Sequence, residues 1–486
     1  MSIVPPSVKI RHPEKLFIGG KWVTPSSDGL IAVVNPATEQ VIAKVAEARE
    51  ADMDKAVAAA REAFDNGPWP RLSHAERAGY LTRMAALLRA REPELAAAWT
   101  EQVGGLASFA PMMMAGGTAC FEVYAGLAKT YPFETRQPST IGGTAVLRRE
   151  PVGVVAAIAP WNAPYTIMAQ KCAPALLAGC TTVLKPSPET PLETFMIAEC
   201  AEEAGLPPGV INVVPAHREA SDYLVRRPGV DKVSFTGSTA AGRRIASVCG
   251  ERIARCTLEL GGKSAAIVLD DFDVGEAAKI LSQSISIMSG QVCATLSRVI
   301  VPRKRHDDFV DALNGELKAI RVGAPTDPES QMGPLAMERQ RDRVEGYIAK
   351  GKAEGARLTT GGGRPAHLNR GFYIEPTLFA NVDNRMTIAQ DEIFGPVLCL
   401  IPAEDAEDAI RISNESIYGL NGAVFTRDAQ RAYDVACKVR SGGMGQNGLK
   451  MDFAMPYGGY KQSGIGREGG AEGILPYIET KTILLD

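Results

Sequence analysis

Short apolar runs broken by turn formers open the chain. Across residues 15–48 the breaks fall at Ile18-Gly19-Gly20, from Thr24 to Gly29, and at Asn35-Pro36-Ala37-Thr38. Runs of this length between Gly, Pro and Asn clusters predict β-hairpins, because those residues supply the backbone angles a tight turn needs. From Asp52 to Asp65 the chain becomes Ala-rich with helical spacing, and the pattern stops at Asn66-Gly67-Pro68. Proline cannot continue a helix and glycine readily ends one. Further long helical patterns cover about 74–103 and 110–129.

From residue 144 the texture alternates. Val152–Ala159, Thr181–Leu184, Ile211–Val214, Val230–Phe235 and Cys256–Leu260 read as strands, and the stretches 164–178, 191–204, 218–226 and 239–249 between them read as helices. Such alternation predicts βαβ units and a parallel sheet covered on both faces. A second alternation begins at Ala265–Leu269 and runs to about 455. The prediction is an α/β chain of two large units that meet near Gly261-Gly262. The segments 131–149 and 474–486 are strand-like and fit neither unit, which predicts a protruding sheet used for self-association.

Composition narrows the function classes. The 486 residues are 45% apolar and 22% charged, with a formal net charge of −3. No global positive field is present to gather nucleic acid or an anionic membrane, and clusters such as Arg303-Lys304-Arg305 read as solvated surface. The stretch Met1 to Leu16 holds three prolines and no apolar core segment, unlike a secretory signal. The longest apolar runs are of strand length, far short of a bilayer span. Nine cysteines occur without paired spacing, and five isolated histidines form no ligand cluster. These features predict a cytoplasmic protein with reduced thiols and no metal site.

Two glycine motifs fail their context tests. Gly464-Ile465-Gly466-Arg467-Glu468-Gly469 fits a dinucleotide fingerprint, yet only 17 residues follow it, too few for a βαβ unit. Gly262-Lys263-Ser264 resembles the end of a P-loop, but Thr257 stands where the first glycine is required. A better candidate runs from Val233 to Gly242, a strand, a turn at Gly237 and a helix start at Ser238. Such a helix start offers free N–H groups to a phosphate, although an ordinary capped helix explains the same residues. Asn162, held between Pro160 and Pro164 where a strand ends, suits an oxyanion donor or a simple turn. Lys185 emerges at the same sheet edge, as a ligand contact or a solvated lysine. Glu259 lies in an apolar stretch, where desolvation would raise its pKa toward that of a general base, unless a salt bridge holds it. Cys293, among small neighbours after a helical run, suits a nucleophile at a loop–helix junction with a lowered pKa, although with eight other cysteines in the chain a structural role explains it too.

In order along the chain, Pro160-Trp161-Asn162, Lys185-Pro186-Ser187, Phe235-Thr236-Gly237-Ser238, Leu258-Glu259-Leu260-Gly261-Gly262-Lys263, Gly290-Gln291-Val292-Cys293 and Glu392-Ile393-Phe394-Gly395-Pro396 closely resemble the aldehyde dehydrogenase superfamily. The resemblance extends from Phe17 to Gly464. It implies Cys293 as nucleophile, Glu259 as base, Asn162 with the Cys293 N–H as oxyanion hole, and Lys171 as support for the base and its water. It implies NAD or NADP contacts at Ile158, Pro160, Trp161, Lys185, Ser187, Phe235, Gly237, Ser238, Leu260, Glu392 and Phe394. The fold it implies has a Rossmann-like cofactor domain (1–130 and 150–260), an α/β catalytic domain (261–460) and a bridging β element (131–149 and 461–486) that builds a homodimer or homotetramer. An aldehyde tunnel near Ala163, Ile167, Gln170, Val292, Ala294, Met451 and Tyr457, with Met112 to Met114 beside it, implies an apolar or aromatic substrate.

One position departs from the family's pattern. Many NAD-preferring members carry Glu three residues after the strand-end lysine, and this chain has Pro188 there with Glu189 one step later. The expectation is that NAD is favoured and NADP also used. A CoA-acylating dehydrogenase, a cysteine hydrolase and a non-catalytic binder are the rival readings. Glu259 as a resident base favours hydrolysis over CoA transfer, and no histidine has a motif context pairing it with Cys293.

Overall fold

The computed structural model describes residues 8–486; Met1 to Ser7, part of the segment read as lacking a signal, lie outside the described residues. Five parallel strands form the centre of the first sheet, in the order 255–259, 232–236, 154–158, 181–185, 211–213. The hairpin of Leu16–Ile18 and Lys21–Val23 extends one edge, antiparallel to Ile211–Val213, and Gly464–Ile465 pairs antiparallel at the other. All five residues of Val154–Ile158 are buried, as expected for a strand covered by helices on both faces. One apolar cluster, built from helices such as Pro164–Ala178 and Leu192–Glu203, fills one face, and a second under Thr239–Glu251 fills the other.

The winding of this sheet positions the site. From its central strand the chain moves outward through 181–185 to 211–213, then returns to lay 232–236 on the opposite side of 154–158. The two connections leave in opposite directions, so their loops part above the carboxyl ends of 154–158 and 232–236. A crevice opens at such a switch point.

A second sheet carries Thr377–Ala380, Val397–Ala403, Leu296–Pro302, Ser264–Val268 and Gly422–Phe425 in parallel, with Arg357–Thr360 antiparallel at one edge. Its two faces hold separate apolar clusters. A third sheet of three strands pairs Thr144–Pro151 with both Glu134–Pro138 and Ile478–Leu485. Residues 461–477 lie apart from it, through Gly464–Ile465 in the first sheet and the turn Ala471–Tyr477 against helix Pro164–Ala178. The pattern over 74–103 resolves into two helices, His74–Ala90 and Glu92–Val103. Pro93 lacks an N–H and crowds the preceding turn, so the first helix ends and a second starts with Pro93 in its first turn.

Glu193 gives the fold a measurable pH signature. It is fully buried, one carboxylate oxygen has no partner among the described residues, and the other accepts from the Gln102 amide. Burial pushes its pKa up to about 8 from the ordinary 4.5, although hydrogen bonds oppose the shift. Between those values the folded chain keeps a proton that the unfolded chain releases, so this group lowers stability as pH rises through the window. Glu193→Gln is neutral throughout and is expected to be more stable than wild type above pH 8, with the gain fading toward pH 4.5. Urea midpoints that are equal at both ends would refute this.

Candidate active site

Strand ends at the switch point build a long groove of about 1280 Å³. Ile158, Trp161, Lys185, Ser187, Phe235 and Ser238 all line it. Ser238 caps helix Thr239–Glu251, accepting from the Ala241 N–H at 3.3 Å, which leaves that helix start facing the groove. Lys185 is buried, and desolvation lowers its ammonium to about 8 against the opposing pull of Glu189. Glu189 itself enters the groove, one position after Pro188. It accepts from the Ser187 hydroxyl and pairs with Arg339 at 2.5 Å. Burial would raise the Glu189 pKa, but these partners hold it below the usual value.

The groove shares Trp161 and Ser238 with a deeper cleft of about 190 Å³ between the two large sheets. Pro160, Asn162, Gly237, Glu259, Leu260, Cys293, Glu392 and Phe394 line that cleft. Of the catalytic and cofactor candidates singled out from the sequence, Lys171 alone is outside both linings.

Cys293 sits in a turn after residues 287–290 and before strand Leu296–Pro302. Met288, Ser289 and Gly290 all have positive φ. For the two non-glycine residues that conformation costs about 1–3 kcal/mol each, so neighbours must enforce it. The Ser289 hydroxyl donates to Gly333 O at 2.7 Å, and Gln291 accepts from the Ala336 N–H at 3.0 Å. The Asn162 amide donates to Gln291 O at 2.9 Å, pinning the turn to the first unit. An amide has a second N–H, and the main-chain N–H of Cys293 has no acceptor among the described residues. Both are therefore free to donate to an oxyanion beside the sulfur.

The expectation of a helix-lowered thiol is corrected. No helix starts at Cys293; burial and the carboxyl of Glu259 push its pKa well above the usual 9. The Tyr457 hydroxyl lies 3.3 Å from the sulfur and opposes that shift. Glu259 is 3% exposed, with one oxygen lacking any partner among the described residues. Burial and the nearby Glu468 raise its pKa well above 4.5, while Lys171 and Cys293 act the other way. Lys171 is 0% exposed and pairs with Glu468 at 2.5 Å. Its direct partner is thus a second carboxylate rather than Glu259. A lone buried ammonium would be costly, and Glu468 removes that cost.

Gly261 and Gly262 permit the close approach of the parts. A Cβ on Gly262 would collide with Cys293 O, and one on Gly261 with the carboxylate of Glu392. The Gly262 N–H donates to Glu392 at 3.0 Å. Burial raises the Glu392 pKa to about 7, against that hydrogen bond and the charges of Arg343 and Lys263. Phe394 has φ 61° and meets Trp161 edge-on at 5.3 Å.

The family model described as the aldehyde dehydrogenase family matches residues 22–483. The chain belongs to the aldehyde dehydrogenase family. It is similar to a geranial dehydrogenase of Castellaniella defragrans, 44% identical over 97% of this chain and 98% of the relative. Among solved structures it resembles a Mycobacterium tuberculosis aldehyde dehydrogenase complexed with NAD+, with TM-score 0.96, 46% identity and coverage of 98% and 99% of the two chains. A Pseudomonas syringae aldehyde dehydrogenase C variant, complexed with NAD+ and octanal, gives TM-score 0.95 and 40% identity over 98% of both chains.

This aldehyde dehydrogenase, a nicotinamide-dependent oxidoreductase, also holds its site with residues the sequence motifs passed over. Gln340 donates to Phe394 O at 2.7 Å and Arg343 to Glu392 O at 2.6 Å, which fixes the turn 392–394 from helix Glu338–Ala353. Glu468 lay inside the rejected glycine motif, where its value as a charge partner for Lys171 carried no local signal. Of the tunnel residues, Ile167 lines the cleft and Val292 flanks it, whereas Ala294 is 0% exposed and Met451 is 42% exposed. Met112 is at the surface and Met114 is in the core, leaving Met113 half-buried between them.

Proposed function

We propose that this enzyme oxidises an apolar or aromatic aldehyde to its carboxylic acid with NAD, and also with NADP, through a thioester on Cys293 that water activated by Glu259 hydrolyses. The observation that carries the reading is the convergence of Cys293, Glu259 and Asn162 in one cleft that opens into the switch-point groove. The groove fits a dinucleotide: a capped helix start and buried Lys185 suit the phosphates and adenosine side, and Glu392 and Phe394 suit the nicotinamide side. When bound, the nicotinamide supplies the hydride acceptor.

The chain's own residues do the rest. The Cys293 sulfur, having released its proton to solvent, adds as the thiolate to the carbonyl carbon, and the C=O pair moves to oxygen. Asn162 and the Cys293 N–H donate to that oxyanion, a contribution of about 2.7–4 kcal/mol for one such donor. After oxidation the thioester carbonyl takes up water, whose proton passes to Glu259. Collapse breaks the C–S bond and returns the electron pair to sulfur. The half-buried apolar set of Met113, Trp161, Ile167, Val292 and Phe453 packs around the same core and suits an uncharged substrate. The third sheet, with exposed Leu484 and Leu485 on its outer strand, suits assembly into dimers or tetramers.

Glu189 restores a carboxylate to the groove despite Pro188, which favours NAD, yet its pairing with Arg339 leaves a cation beside it for a 2′-phosphate. The test is absorbance at 340 nm with NAD and NADP across an aldehyde panel. Hexanal and benzaldehyde are expected to exceed small charged aldehydes in kcat/KM, with NAD over NADP by less than about a thousandfold, roughly 4 kcal/mol. A preference for charged aldehydes would refute the substrate class, a larger cofactor ratio would refute NADP use, and turnover that requires CoA would refute hydrolysis.

A further inference from the structure

We propose that Tyr457 is a catalytic hydrogen-bond donor to the Cys293 sulfur, stabilising the thiolate both before it attacks the aldehyde and as it leaves the thioester. The proposal deepens the reading of Cys293 as nucleophile and rests on it.

Three observations place Tyr457 for this task. Its hydroxyl is 3.3 Å from the sulfur, within reach of a sulfur hydrogen bond. A thiol and a phenol can each donate to the other, but a thiolate can only accept, so ionisation of Cys293 makes Tyr457 the donor. The tyrosine backbone is also clamped. Its N–H donates to Glu468 O at 2.6 Å and the Glu468 N–H donates back at 2.8 Å, an isolated antiparallel bridge. Glu468 is in turn anchored by the buried ion pair with Lys171. The hydroxyl is therefore aimed by the same buried network that stands behind the base.

The electrostatics of the pocket create the need. The titratable groups facing the sulfur are Glu259 from strand Arg255–Glu259, Glu392 from the turn after residue 390, and Tyr457 itself, with Glu468 and Lys171 behind. The carboxyls and burial all oppose a thiolate, and among the described residues no cation or helix start faces it. Burial and the neighbouring thiol and carboxyls push the Tyr457 phenol well above its usual 10, so it keeps its proton and remains a donor. Hydrogen bonds to a charged acceptor are about twice as strong as neutral ones. The same O–H serves the reverse event. When the C–S bond of the hydrated thioester breaks, the electron pair arrives on the sulfur that Tyr457 faces.

The experiment compares wild type and Tyr457→Phe, which keeps the ring and removes only the hydroxyl. The rate of Cys293 alkylation by iodoacetamide is followed by mass spectrometry as a function of pH, with Cys293→Ala as the control for other thiols. The variant is expected to react about tenfold more slowly near neutrality, with its profile displaced upward by about one pH unit and meeting wild type at high pH. Aldehyde kcat/KM is expected to fall by a similar factor over the same range. Superimposable profiles overturn the proposal, and so does an equal loss at every pH, which marks access rather than acidity. Alkylation needs no aldehyde or cofactor. A shifted profile in a protein that oxidises no aldehyde would therefore refute the proposed function and leave the thiolate–tyrosine bond standing.

Discussion

Cys293→Ala is expected to lower aldehyde-dependent reduction of NAD by at least about 10⁴-fold, since under the proposed mechanism it removes the covalent nucleophile and leaves only binding and the oxyanion donors. No other thiol can substitute for it. Among the nine cysteines, Cys293 alone lines the cleft; six others are buried, Cys256 is half-buried beneath helix Thr239–Glu251, and Cys437 is exposed on the helix Ala429–Lys438. The change removes one sulfur from a turn whose shape is set elsewhere, by Ser289, Gln291 and Asn162. The variant should therefore fold and keep its cofactor-induced rise in melting temperature. Intact-mass analysis after incubation with aldehyde and NAD should show no acyl adduct. Residual turnover within tenfold of wild type would remove Cys293 from the mechanism.

Glu259→Gln is expected to separate the two halves of the reaction. Without a base the thioester persists, so reduced cofactor should appear as a burst of about one equivalent per active site. A steady rate about 10²–10³-fold below wild type should follow, within the range of general base catalysis. The pH dependence should change with it. Burial and Glu468 hold the Glu259 carboxyl well above 4.5, and only its ionised form accepts a proton. Wild-type steady-state turnover should thus rise with pH through that elevated pKa, and the variant should lose this limb. Rapid-mixing absorbance at 340 nm reads both. Disappearance of the burst together with the steady rate would instead assign Glu259 to deprotonating Cys293, and an unchanged steady rate would exclude it as the base.

Much of the fold was legible because parallel sheets leave plain marks in a chain. Strands buried on both faces read as apolar runs such as Val154–Ile158, and turn residues stand at their ends. The lining of the groove and cleft was legible for the same reason. Lys185 and Glu259 end their strands, Trp161 and Ser238 stand two or three residues beyond theirs, and the ends of parallel strands share one edge of the sheet. Asn162 and Cys293 came from short motifs around prolines and glycines, where backbone geometry restricts the sequence.

Other features were invisible in the linear order because they are relations between distant residues. Lys171 and Glu468 are 297 positions apart, and their pairing follows from the segment after residue 460 folding back under helix Pro164–Ala178. Tyr457 read as a tunnel wall; its contact with a sulfur 164 positions away follows from the bridge to Glu468. The acidity of Cys293 was misjudged on similar grounds. A local pattern suggests a helix end, whereas the pKa responds to burial and to the field of Glu259, which lies on the other unit, and of Glu392, about a hundred residues away in the chain. Local periodicity and turn chemistry act over a few residues and so are written in the order of amino acids. Electrostatic and hydrogen-bond partners are chosen by packing, which acts across the whole chain, and only the folded arrangement contains them.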